Sequence, residues 1–167
     1  MFTKQKVIEC ILDTDGMTRD ITFTPTSHFY MVEAIKNFTE GYRIDNATDN
    51  EGEDVSRLLK ENPAKILSEG NGYIHCVLVS DQQLIPCIQL FIDWDSQKKD
   101  EYCLEISFFP NDINPASFKL HDFMKLIDKW ASILNAKDYF VHYENASWDL
   151  YDPKGFGVIY TKQNRPT

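Results

Sequence analysis

No apolar run in this chain reaches the roughly 18 residues that a membrane-spanning helix needs, so none is expected. The first residues, MFTKQKVIEC, lack the apolar core of a secretory leader. Cysteine is sparse and forms no C-x-x-C pair. Cys10, Cys76, Cys87 and Cys103 each lie in an apolar run, where a reduced thiol acts as a small buried hydrophobe. These absences point to a reducing cytoplasm. His28, His75, His121 and His142 show none of the spacings of a metal site, and no metal or cofactor is expected. Gly70-Asn71-Gly72 and Gly155-Phe156-Gly157 lack the strand, glycine-rich turn and helix of a phosphate-binding loop. Basic residues are also short: 17 Lys and Arg stand against 26 Asp and Glu, for a net charge of −9. Phosphate binding needs clustered Lys and Arg, so neither nucleic acid nor an anionic membrane is expected as a direct partner.

What is present is enough for a core. Apolar residues make up 43% of the 167 and aromatics 13%. A chain of this length buries roughly 70% of its extended surface without staples. One domain spanning 1–167 is expected, with 162–167 as a frayed tail.

Periodicity supplies the elements. Lys6–Leu12 is β-rich, Asp13 to Gly16 reads as a turn, and Met17–Thr24 alternates, which together predict a hairpin. Ser27 is the expected N-cap of a helix to about Glu40 that presents Met31, Ile35 and Phe38, with Gly41 after its end. Residues 45–54 read as a polar acidic loop, and short helices follow at about 53–60 and 63–67. Tyr73–Ser80, Leu84–Trp94 and Glu101–Phe109 read as strands with short polar connections, which predicts an antiparallel meander. Asn114 and Pro115 open a helix to about Ala136, with Phe123, Leu126, Ile127, Trp130, Ile133 and Leu134 on one stripe. Tyr139–Tyr143 and Phe156–Thr161 complete the strands. The predicted class is α+β: one mainly antiparallel sheet with helices packed on one face. Such an arrangement leaves the other sheet face in need of cover or a partner.

Two motifs have the form of catalytic carboxylate pairs. Asp13-x-Asp15-Gly16 follows an apolar run, as in haloacid-dehalogenase-type phosphatases, but the required downstream Lys, paired Asp and parallel βα framework are missing. The segment reads better as a turn. Asp93-Trp94-Asp95 places two carboxylates on one strand face, where they can reach one divalent ion. No phosphate-binding Lys or glycine-rich loop accompanies it, so it reads as a strand end or an interface corner with Trp94 as anchor. No catalytic residue is therefore assigned. A small metal-dependent enzyme built on Asp93 and Asp95, or on Asp13 and Asp15, stands as one alternative. An acidic regulatory or structural domain stands as another.

The strongest positive signal is acidity beside large aromatics. Asp45, Asp49, Glu51, Glu53 and Asp54 fall in ten residues without a base. Asp138 to Pro153 is base-free as well and interleaves Asp149 with Trp148 and Tyr151. A concentrated negative field speeds encounter with a basic partner, and aromatics supply the anchors that hold it. The partner-binding candidates are Asp49, Glu51, Glu53, Asp93, Trp94, Asp95, Trp148, Asp149 and Tyr151.

The helix LHDFMKLIDKWASIL, the strand DYFVHYEN, the loop ASWDLYDPKG and the strand FGVIYTK carry a resemblance of type. Together they resemble bacterial immunity proteins of polymorphic-toxin, type VI secretion or contact-dependent inhibition systems. The resemblance covers Asn114–Lys162, about a third of the chain, and transfers no motif residue. It implies a small acidic α+β protein that binds a cognate basic toxin domain, occludes its active site and has no enzymatic activity.

Overall fold

The computed structural model describes residues 2–147 and 156–166. In chain order the α-helices and strands are α1 (Lys4–Leu12), β1 (Arg19–Phe23), α2 (His28–Gly41), β2 (Arg43–Asp49), α3 (Ser56–Glu61), α4 (Pro63–Ile66), β3 (Asn71–Val79), β4 (Cys87–Asp95), β5 (Cys103–Phe108), α5 (Leu120–Ile133), β6 (Tyr139–Ser147) and β7 (Phe156–Thr161). The strands form one antiparallel sheet in the order β2-β3-β4-β5-β1-β6-β7. The class is the α+β predicted, with the β3–β4–β5 meander in place.

Alternation in the strands decides which face is dry. Ile74, Cys76 and Leu78 of β3, Ile88, Leu90, Ile92 and Trp94 of β4, and Leu104, Ile106 and Phe108 of β5 are all buried. They meet the helices, whose own stripes close the core: Val7 and Ile11 from α1, Met31, Ile35 and Phe38 from α2, Phe123, Ile127 and Trp130 from α5. The Phe38 and Trp130 rings pack 5.4 Å apart and join α2 to α5.

Several elements depart from the sequence reading, each for a physical reason. Lys4–Leu12 is a helix, not the first arm of a hairpin: Thr3 caps it through the Lys6 N–H, and Val7, Cys10 and Ile11 recur at helical spacing on its buried side. The true partners of β1 are β5 and β6, far along the chain. Arg43–Asp49 is an edge strand rather than a loop. An edge strand with one neighbour needs little apolar side chain, and only Ala47 of β2 is buried. The Asn114-Pro115 cap makes a single turn, with Asn114 Oδ1 accepting from Ala116 N–H, and the helix begins only at Leu120. It ends in a Schellman turn, with Asn135 at φ 51 and the Ala136 N–H reaching the Ala131 carbonyl. The expected frayed tail is docked as far as it is described. The Arg165 guanidinium forks Asp128 at 2.5 and 3.0 Å, and Lys162 Nζ donates to the Ala136 carbonyl.

Arg19 is fully buried. Its guanidinium donates to the carbonyls of Cys10, Asp13, Met17 and Thr18 and to both oxygens of Asp15, and it lies 4.2 Å from the Tyr143 ring centroid. A buried charge persists only when so satisfied. The side chain fastens the Asp13–Thr18 turn between α1 and β1.

Candidate functional site

The antiparallel register gathers two of the three acidic regions at one corner. Asp49 pairs with Ile74 and Ile74 with Ile92, while Asp93 pairs with Tyr73 and Asp95 with Asn71. The end of β2, the start of β3 and the end of β4 therefore lie together. The chain leaves β2 in a tight turn. Asp49 Oδ1 accepts from the N–H groups of Glu51 and Glu53, each at 2.9 Å, and Gly52 takes φ +84, where a side chain would be strained. Asp54 then accepts from the Ser56 N–H, and hydrogen bonding from the Ser56 side chain and backbone holds its carboxyl below the ordinary value. Glu51, Glu53 and Asp93 are exposed. Asp95 is half-buried and accepts from Gln97 N–H at 2.9 Å.

Trp94 lies inside this corner. Its side chain points to the helix side, its residue is 4% exposed, and its indole N–H donates to the Glu69 carbonyl at 3.4 Å. It shapes the corner from within, packed on the backbone of Gly72. Trp148, Asp149 and Tyr151 fall outside the described residues. The strands that flank them meet at Ser147 and Phe156, at the opposite end of the sheet and along its opposite edge. Six strand spacings of about 4.8 Å place the β2 and β7 edges roughly 29 Å apart.

The sheet face turned from the helices has two halves. Over β1, β6 and the adjoining end of β5 its polar side chains are buried or half-buried and bonded to one another. Ser107 Oγ donates to Asp20 at 2.5 Å, and Thr22 Oγ1 donates to Glu105 at 2.7 Å and lies 2.9 Å from His142 Nε2. Burial pushes the His142 ring below its ordinary value, against the Tyr143 carbonyl and the Asp20 charge that favour protonation. Burial likewise raises Glu105, against the Thr22 bond and with help from the Asp20 charge. Over β3 to β5 the face is half-open. Tyr73, His75 and Phe91 form an aromatic strip, with the His75 and Phe91 rings stacked at 4.8 Å and 8°. Sequence reasoning missed this strip and Glu105. The signal was the alternation Cys87, Gln89, Phe91, Asp93 against Ile88, Leu90, Ile92, Trp94, which sends an aromatic and a carboxylate away from the core.

The other motifs resolve locally. Asp15 accepts from the Met17 N–H and pairs with Arg19; burial works against its charge, but those two partners win and hold its carboxyl low. Asp13 and Asp15 thus flank a turn. His28 lies edge-on to Tyr102 at 5.5 Å, His75 bonds Gln89, and His121 is exposed. Among the described residues no three His, Cys, Asp or Glu side chains converge on a point that suits a metal ion. Only Cys10 and Cys76 are buried, Cys87 is half-buried and Cys103 exposed, because β4 and β5 turn the last two to the open face; all four are free thiols. Burial pushes the Cys76 thiol up to about 12. No helix among the described residues is long and apolar enough to cross a membrane.

Comparison with known proteins adds a likeness of fold. No protein-family model matches the chain, and no curated protein does. Among solved structures, the chain is similar to one chain of the crystal structure of the toxic C-terminal tip of CdiA from Pseudomonas aeruginosa in complex with immune protein. The TM-score is 0.59 at 15% identity, over 89% of this chain and 96% of that one. At that identity the two share a fold.

Proposed function

We propose that this chain is an immunity protein, which binds a basic toxin domain and neutralises it by covering the toxin's active site, with no chemistry of its own. The observation that carries the reading is a fold shared over 89% of the chain with a member of a toxin–immune protein complex. That complex holds two kinds of chain. A net charge of −9 suits the inhibitor of the pair if the toxin domain it docks on is basic. The acidic corner supports the same assignment: Asp49, Glu51, Glu53, Asp93 and Asp95 project a negative field from one end of the sheet, and such a field raises the association rate. The site of action is the cytoplasm, where a delivered toxin meets its target and free thiols stay reduced.

The test is co-expression with the toxin domain encoded beside this gene. The toxin alone arrests growth, and this chain restores it. In surface plasmon resonance, reversing Glu51 and Glu53 to Lys lowers kon and flattens its salt dependence, because exposed charges act on encounter. Growth arrest caused by this chain by itself would exchange the two roles. Absence of both rescue and binding would remove the reading.

A further inference from the structure

The half-open sheet face carries a feature that neither the fold nor the acidic corner requires. Phe91 stands between His75 on β3 and Glu105 on β5, its direct cross-strand partners. His75 stacks on one side of the Phe91 ring at 4.8 Å, close to the strand spacing itself, so the ring's other side looks toward β5. Gln89 holds His75 in that stack through a 2.8 Å bond. Glu105 offers an anion at this second side. Its Oε2 is engaged by Thr22, while Oε1 has no protein partner among the described residues. His142 Nε2 lies 3.9 Å from Glu105 Oε2, and its burial disfavours the cationic form. Asp93 lies two residues along β4 from Phe91, about 7 Å away on the same face. No Lys or Arg lies on the outward positions of β3, β4 or β5.

An aromatic face flanked by two carboxylates is a receptor for a flat cation. We infer that an arginine side chain of the toxin inserts here, its guanidinium over the free face of Phe91 and its N–H groups on Glu105 and Asp93. This rests on the immunity reading and gives it a contact. A guanidinium fits better than an ammonium because it stacks on a ring and bonds a carboxylate through its fork at once. Burial disfavours the Glu105 carboxylate, and an arriving guanidinium supplies the opposite charge that stabilises it. The acidic corner then serves encounter and this face serves retention.

The experiment is surface plasmon resonance against the toxin domain encoded beside this gene, with Phe91→Leu, Glu105→Gln and, as a remote control, Asp81→Asn at the exposed β3–β4 turn. Melting curves establish that each variant is folded. Phe91→Leu and Glu105→Gln should each weaken binding about tenfold or more, mainly through koff, as loss of a desolvated cation–π or charge pair does. Asp81→Asn should bind as wild type. One toxin Arg→Gln variant should show the same loss, and Glu105→Gln added to it should cost little more. On the unaltered chain, the toxin should shield Cys103, exposed on this same face, from N-ethylmaleimide. If wild type binds while Phe91→Leu and Glu105→Gln stay within twofold of it, or if Cys103 reacts equally in the complex, the arginine site is wrong and the immunity reading stands. If wild type does not bind, the immunity reading falls and takes this inference with it.

Discussion

Replacing Gly72 with alanine tests the interior of the acidic corner. Gly72 lies in β3 directly opposite Trp94 of β4. A methyl group at Gly72 would fall 2.1 Å from Trp94 Cζ2 and 2.4 Å from Cη2, well inside contact distance. The backbone there is ordinary, so the penalty is one of space. The indole cannot yield easily, because it is 4% exposed and tied to the Glu69 carbonyl. Overpacking of this kind costs about 1–3 kcal/mol, and the displaced indole bond adds at most about 1. We expect Gly72→Ala to lose about 2–3 kcal/mol in urea unfolding followed by far-ultraviolet circular dichroism, a probe that does not depend on the tryptophan. Trp94→Ala alone should lose about 3–5 kcal/mol, as large aromatic truncations do. In that background Gly72→Ala should cost nothing, or gain up to about 1 kcal/mol from the stiffer backbone. An equal cost in both backgrounds would show that the ring is not what excludes the methyl group. A loss under about 0.5 kcal/mol in the native background would refute the packing altogether.

Four further outcomes follow from named contacts. Trp130→Ala should cost about 3–5 kcal/mol in urea unfolding, since the ring is 3% exposed and packs on Phe38; a loss under 1 would place it outside the core. Because the His142 pKa is depressed in the folded protein, the unfolded chain binds the extra proton first. Stability should therefore fall as pH drops below the ordinary histidine value of 6.5, and His142→Gln should flatten that part of the profile; an unchanged slope would refute it. Arg19→Met should destabilise by about 3 kcal/mol or more, because four carbonyls lose this donor and Asp15 loses its ion pair; near-native melting would contradict the clamp. Brief exposure of the folded chain to maleimide should label Cys103 first and spare Cys10 and Cys76, read by mass spectrometry; labelling of Cys76 at a similar rate would contradict its burial.

Much of this structure was legible where the period of burial was long and one-sided. The Phe123 to Leu134 stripe and the three meander strands satisfied that condition. VIECIL misled because β-branched composition outweighed a short helical repeat whose burial depends on distant strands. β2 was hidden because an edge strand can be polar throughout. The position of β1 between β5 and β6 has no local signature at all. At the site, the acidic turn was visible as composition, but Trp94 was read as a surface anchor because its neighbours are Asp93 and Asp95. Alternation sends it the other way. The open face was foreseen as a face without a cover, yet its residues become a group only once register sets Phe91 beside Glu105.

The placement of β1 also dictates when the protein can come into being. Thr22 waits for Glu105 and His142, which lie 83 and 120 residues downstream. At about 5–20 residues per second, a ribosome needs roughly 6–24 s to extend the chain from β1 to β6. During that time β1, an interior strand of the future sheet, lacks its neighbour on one side, and an unpaired strand invites wrong pairing. High contact order of this kind slows closure even after release. A nascent chain that ends before β6 therefore lacks the closed sheet. The acidic corner on β2–β4 can assemble first, but the sheet that holds it rigid closes only when β6 and β7 arrive, so their synthesis sets the delay before the corner takes its final form.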